Sequence, residues 1–257
     1  MLSASQQKHL TALQVKKYRQ KYRKFTVEGS KMVGELLAQN RVAVSGIYGL
    51  EAWALEHAAL LAPFSALFNP VSEAELRKIS GLTTPNAVLA VAEIPDPAPL
   101  PASATGLAFY LDGIRDPGNM GTILRVADWF GFNAVYCSPD CAEVYSPKVV
   151  QASMGAVFRV PAGEFSLDTL VAALPGLPVL GAVLGGENVF DANFPNHGLL
   201  VIGNESGGIR PEAALLLTHR LTIPRGPGSV AESLNASVAA GILAALAVSR
   251  SGGGVKK

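Results

Sequence analysis

The chain has 257 residues, 49% hydrophobic and 16% charged, with a mean hydropathy of +0.29 and a net charge of +1, which excludes a largely disordered polymer and allows one large domain or two. Two cysteines, Cys137 and Cys141, exclude a disulfide scaffold, and the histidines form no Cys/His cluster, so no metal is expected. The N-terminal residues lack an apolar leader and no apolar run reaches the roughly 18–20 residues of a membrane span, so the expectation is a cytoplasmic protein with no membrane association.

Residues 6–24 read as a polar helix, and 27–39 as a second helix with apolar residues at 27, 32, 33, 36 and 37 on one face. Residues 42–48 suggest a strand, 51–61 a helix, 64–68 a strand, 72–79 a helix and 86–92 a buried strand. Prolines at 95, 97, 99 and 101 then remove amide donors at every second position, which marks a stiff linker. This sets a division into an N-terminal domain over 1–95, a linker over 96–105 and a second domain over 106–257. In the second domain strands are expected at 106–111, 133–137, near 157–160, and at 178–184, 199–203 and 221–223. They alternate with helices at 119–130, 146–154, 166–174, 211–217 and 233–248, a pattern that argues for an α/β fold with a parallel sheet.

Charge is distributed unevenly. Residues 1–41 carry +7, which leaves −6 on the remainder. The centre of the basic segment, KKYRQKYRKF, interleaves Tyr18, Tyr22 and Phe25 with Lys16, Lys17, Arg19, Lys21, Arg23 and Lys24. Cations that pair with phosphates and rings that stack on bases point to nucleic acid, against the plainer alternative of a solvated helix face. Trp53 and Trp129 are expected to be packing residues, and the two cysteines ordinary thiols.

Three strand-to-helix segments of the second domain carry polar residues where α/β sheets bind ligands, beyond the carboxyl ends of strands. Residues 111–131 (LDGIRDPGNMGTILRVADWFG) contain a polar turn, Asn119 as a possible helix cap, and Arg125 one to two turns further. Residues 199–212 (LLVIGNESGGIRPE) run from an apolar strand into Gly203, Asn204, Glu205 and Gly208. Residues 221–246 place Ile223 and Pro224 before a Gly/Pro-rich loop, and Glu232, Ser233, Leu234 and Asn235 at the mouth of a helix. Neither a dinucleotide fingerprint nor a P-loop is present.

Together, N-x-G-x-x-x-R, G-N-E-x-x-G and I-P…E-S-L-N resemble, in order and spacing, the signature motifs of the SpoU/TrmH family of RNA 2′-O-ribose methyltransferases, and residues 145–160 resemble the family's middle region. The resemblance spans roughly 106–248, and the N-terminal part more loosely resembles an L30e-like substrate-binding domain. It implies a trefoil-knotted methyltransferase domain that binds S-adenosylmethionine, acts as a homodimer without metal, and methylates ribosomal RNA, with transfer RNA as the alternative. An inactive RNA-binding relative is the non-enzymatic alternative. Carried over by position, Arg125, Asn119, Glu205, Ser233 and Asn235 form the catalytic constellation, with Glu205 fixing its loop. Gly203, Asn204, Ile223 and Leu234 are implied at the cofactor, and the six cations of the basic segment at the RNA.

Overall fold

The computed structural model describes residues 2–96, 100 and 105–250, so most of the expected linker and residues 251–257 lie outside the described residues. The chain divides into two compact units, 1–96 with 143–159, and 97–142 with 160–257. The first unit thus includes residues 143–159, which the sequence reading assigned to the second domain.

In the first unit α1 (Ala4–Ala12) opens on a capping box, with Ser3 and Gln6 exchanging side-chain and backbone hydrogen bonds. The expected single helix over 6–24 is two: α2 (Lys16–Tyr22) follows a turn and ends on Arg23, whose φ of 51° is left-handed. That turn of the backbone starts β1 (Lys24–Glu28), a strand the sequence reading had divided between two helices. Then follow α3 (Ser30–Gln39), β2 (Val44–Gly49), α4 (Glu51–Glu56) and α5 (Ala58–Leu61). The expected strand at 64–68 is a 3-10 turn over Ala62–Leu67 with Pro63 in its first turn, and β3 (Phe68–Pro70) starts where it ends. α6 (Glu73–Ile79), capped by Ser72, and β4 (Val88–Glu93) complete the segment.

The four strands lie in the order β1-β4-β2-β3, antiparallel except for β2 and β3. On one face Leu10 and Leu13 pack with Leu76, Ile79, Leu89 and Val91. Each fully buried side chain of this size contributes about 1.5–3 kcal/mol. Against β1 lies the segment contributed from later in the chain, where Tyr145 and Phe158 ring centroids come within 4.9 and 6.5 Å of Phe25. Glu143 from the same segment pairs with Arg19, and Arg159 reaches Glu35 at 3.0 Å.

The second unit begins with β5 (Leu107–Asp112), α7 (Pro117–Phe130) and β6 (Val135–Cys137). α8 (Pro147–Ser153) and the 3-10 turn Ala156–Phe158 belong to the first unit, the turn standing where a strand was expected. The second unit resumes with β7 (Ala162–Glu164), α9 (Leu167–Ala173), β8 (Val179–Asn188), β9 (Gly198–Gly203), α10 (Pro211–Ala214), β10 (His219–Thr222) and α11 (Ala236–Arg250). Its six strands form one parallel sheet in the order β10-β8-β9-β5-β6-β7. Strand alternation divides the core. Tyr110, Leu170, Val179 and Val201 meet on the face covered by α9 and α10. Phe109, Leu111, Leu200 and Ile202 are buried on the other, where α11 packs against β9 and α7. No helix among the described residues is long and apolar enough to cross a membrane.

Candidate active site

β5 and β9 are hydrogen-bonded neighbours in parallel register, with Asp112 opposite Gly203. The turns that follow the two strands therefore leave the same edge of the sheet side by side. In the first turn Asp116, not Asn119, caps α7: its carboxylate accepts the N–H of Asn119 at 2.8 Å. The helix starts at Pro117, two residues earlier than expected, so Asn119 lies inside the first turn with its amide free to point across the sheet edge. Asn119 is 8% exposed, and its Nδ2 donates to the Glu205 carboxylate. Its Oδ1 accepts from Nδ2 of Asn235 at 2.9 Å.

The second turn is a closed loop in which Asn204 and Gly208 exchange backbone hydrogen bonds at 3.0 and 2.8 Å. Asn204 Oδ1 accepts the N–H of Ser206 at 2.9 Å, while Nδ2 donates to the carbonyl of Gly113 at 2.8 Å. Every polar group of Asn204 is thus engaged in shaping the loop. A side chain at Gly203 would overlap the backbone of Gly208 and Ile209, so glycine is required there by the loop itself.

A buried ion pair fastens the loop from the opposite face of the sheet. Asp112 is 1% exposed, and its carboxylate accepts the N–H of Arg210 at 2.8 Å, Nε at 2.7 Å and Nη2. The Asp112 carboxylate holds the Arg210 guanidinium above its ordinary range. Asp140 approaches Arg210 Nη1 at 3.5 Å, and its own carboxyl is lowered, first by the Ser138 hydroxyl at 2.7 Å and then by Arg115. The sequence reading missed this clamp, because its members stand 98 residues apart and neither lies at a recognisable motif spacing.

Ser233 and Leu234 precede α11 instead of opening it, since the helix starts at Ala236. Asn235 is the cap: its Oδ1 accepts from Ser237 N at 2.9 Å, Ser237 Oγ at 2.6 Å and Val238 N at 3.3 Å. Ser233 Oγ reaches the carbonyl of Glu205 at 3.5 Å, at the limit of a hydrogen bond. Ile223 is half-buried and Leu234 is 46% exposed. Asn119, Glu205, Ser233 and Asn235, spread over 116 residues of sequence, therefore form one connected network.

Arg125 stands apart from that network. It is exposed, with no hydrogen-bond or ion-pair partner among the described residues, on the outward stripe of α7 that also carries Trp129. Trp129 is 84% exposed, in contrast to the expected packing role, because its position one turn beyond Arg125 faces away from Ile123, Leu124 and Ala127; Trp53 is buried as expected.

The cations of the basic segment lie in the first unit. Lys16, Lys17, Lys21 and Arg23 are exposed and Lys24 is half-buried. Arg23 Nη2 pairs with Asp96 at 2.8 Å. Arg19 does not join this surface. It is 3% exposed, donates to the carbonyl of Leu13 at 2.8 Å, and binds Glu143 through Nε at 3.0 Å and Nη2 at 2.5 Å. Burying the guanidinium is compensated only by such a paired and hydrogen-bonded site, so its role is to fasten α2 to residues 143–159 within the first unit. Among the described residues no group of three or more His, Cys, Asp or Glu is placed to hold a metal ion.

A parallel sheet whose adjacent strand ends carry this Asn–Glu–Asn–Ser network defines the class to which the sequence motifs pointed. Residues 106–245 match the model of the SpoU rRNA Methylase family, and the chain belongs to that family. Residues 5–90 match the MRM3-like substrate binding domain. The chain is 29% identical over 246 residues to the 23S rRNA (guanosine(2553)-2'-O)-methyltransferase RlmP of Bacillus subtilis, covering 90% of this chain and 91% of that one. A putative RNA methyltransferase of the TrmH family from Porphyromonas gingivalis superposes with a TM-score of 0.86 at 42% identity, over 96% of this chain and 98% of that one. The SpoU methyltransferase AviRb from Streptomyces viridochromogenes, solved in complex with AdoMet, superposes with a TM-score of 0.81 at 26% identity, over 96% and 98% of the two chains. Other matches are partial on both sides: one covers 67% of this chain and 64% of a Synechocystis tRNA/rRNA methyltransferase, and another 61% of this chain and 58% of a 23S rRNA (uridine(2479)-2'-O)-methyltransferase of Streptomyces viridochromogenes.

Proposed function

We propose that the protein is an S-adenosylmethionine-dependent methyltransferase that modifies a ribose 2′-hydroxyl in 23S rRNA. The observation that carries this reading is the assembled network of Asn119, Glu205, Ser233 and Asn235 at adjacent strand ends. An inactive relative would have no need to keep it intact. Ribosomal RNA is preferred to transfer RNA because the Bacillus relative, matched over nearly its whole length, is a 23S rRNA enzyme. The setting is the cytoplasm, where ribosomes are made.

The residues at this edge suit the methyl donor by their chemistry. Ile223 and the half-exposed Leu234 offer apolar surface to an adenine, Gly203 lets the loop beside them close on itself, and Asn204 shapes that loop. S-adenosylmethionine bound here supplies a methyl group already activated by its sulfonium. The chain's own contribution is then orientation and management of the hydroxyl proton. Arg125, unpaired among the described residues, is free to bind the phosphate beside the ribose and to lower the hydroxyl's proton affinity; a guanidinium is a poor base outside a desolvated site. Asn119, Ser233 and Asn235 hold the ribose, while Glu205 keeps the amide of Asn119 in place.

The reading extends to assembly, to the knot and to RNA capture. α11 is apolar around its circumference, yet Val238 is 50% exposed and Ala245 is exposed, and the α7 helix against which α11 packs exposes Trp129. Such a face supports a homodimer through α7 and α11. The placement of β10 beside β8 instead of β9 supports the trefoil threading of the family. Lys16, Lys17, Lys21 and Arg23 hold RNA phosphates.

The test is Arg125→Ala, assayed by calorimetric titration with S-adenosylmethionine and by methyl transfer to rRNA. Donor binding is expected to persist while transfer falls at least about 100-fold, the scale of a lost proton-transfer or positioning group. Full transfer by the variant would remove Arg125 from the mechanism.

A further inference from the structure

The outward side of α2 carries features that methyl transfer does not use. Tyr18 and Tyr22 stand one helical turn apart and are 36% and 37% exposed. Their rings are nearly parallel, at 14°, with centroids 6.2 Å apart. His9 of α1 meets Tyr22 edge-on at 4.6 Å, and Lys21 Nζ lies 5.5 Å from the Tyr22 ring centroid. Core packing does not account for the pair, because Arg19 is the buried residue of this helix. Lys16, Lys17 and Lys21 are exposed on the same short helix, and residues 1–27 contain no Asp or Glu.

A surface of one charge sign built around two open rings fits a ligand that is both a polyanion and a bearer of flat π-faces. Nucleic acid has both properties, but a duplex does not present both together. In an A-form helix the base faces are covered by their neighbours, and only phosphates, 2′-hydroxyls and base edges can be reached. Unpaired nucleotides expose the faces themselves and stack on aromatic side chains while lysines track the backbone. We propose that Tyr18 and Tyr22 form a stacking platform for unpaired bases, so that this surface captures a single-stranded or loop segment of RNA in preference to a duplex. The inference rests on the reading of the basic segment as an RNA-binding surface and specifies the kind of RNA.

The full-length protein is titrated, by fluorescence anisotropy, with a short labelled single-stranded RNA of mixed sequence and with a fully paired RNA duplex of the same length. Wild type is expected to bind the single strand more tightly. Tyr18→Ala/Tyr22→Ala is expected to weaken single-strand binding about tenfold while leaving duplex binding within about twofold, and Tyr18→Phe/Tyr22→Phe to retain single-strand affinity. Three results overturn the proposal while leaving RNA binding intact: duplex preference in wild type, no effect of the alanine pair on the single strand, or equal weakening of both probes. A separate outcome rejects the underlying reading as well. It is wild type that binds neither probe, with Lys16→Glu/Lys17→Glu leaving rRNA methylation unchanged.

Discussion

Arg210→Ala removes the guanidinium that fastens the Asn204–Gly208 loop to β5, and its effect can be sized from the geometry. The Asp112 side chain is fully buried and would keep one hydrogen bond, from the backbone N–H of residue 210 at 2.8 Å. Breaking a buried pair by deleting one partner costs about 3–5 kcal/mol. Arg210 is itself 42% exposed along its side chain, so water can enter the vacated space and the expected loss is nearer about 2–3 kcal/mol. For a chain of this size that corresponds to a fall in melting temperature of roughly 5–10 °C. Urea unfolding followed by circular dichroism measures it. Replacing Asp112 by Asn in the Arg210→Ala background removes the stranded charge and should recover about 1 kcal/mol, which a double-mutant cycle resolves. Methyl transfer should fall at least about tenfold in the single variant, because Glu205 is presented to Asn119 by the loop that the clamp restrains. Stability of Arg210→Ala within about 0.5 kcal/mol of wild type would mean that the ion pair does not fasten the loop, since that is the range of a surface substitution.

Three further outcomes follow from the same structure. Asn235→Asp keeps the oxygen that caps α11 but replaces the donor to Asn119 with a carboxylate, so the melting temperature should hold while kcat falls; Asn235→Ala should lose both, with about 1–2 kcal/mol of stability. The Cys141 thiol is held down to about 7, first by its hydrogen bond with Cys137 and then by the Ser138 hydroxyl and backbone N–H groups, against the opposing effect of burial. The thiolate exists above that pH, so iodoacetamide labelling followed by mass spectrometry should rise through about pH 7 at Cys141, while buried Cys137, with its thiol raised, stays unlabelled. Trp129→Glu combined with Val238→Glu should convert a dimer to a monomer in light scattering without lowering the melting temperature of the subunit, because both side chains are exposed in the single chain.

The parallel sheet of the second unit was visible in the alternation of apolar strands with helices, because strands buried on both faces read as continuous apolar runs such as LLVIG. β1 was hidden for a related reason. Phe25, Thr26, Val27 and Glu28 are all buried, so no alternation separates the strand from the helical periods on either side, and only the left-handed Arg23 marks the break. The residues of the site network could be named from motif order, but their contacts could not. Asn119 was read as a cap, a role that belongs to Asp116, and the capping role belongs instead to Asn235 at the far end of the network. Arg19 illustrates the limit of local charge. Its neighbours in sequence are exposed cations, yet its partner Glu143 lies 124 residues away, and the pairing is a property of the packed unit.

Ribose methylation at this site can be read directly on isolated rRNA. Purified protein is incubated with isotopically labelled S-adenosylmethionine and 23S rRNA from cells lacking the gene, and the product is digested to nucleosides and analysed by mass spectrometry. Label is expected on a single nucleotide, on the ribose and not the base, with little or none from Arg125→Ala. Label on a base, or an absence of transfer from protein that binds the donor, would contradict it.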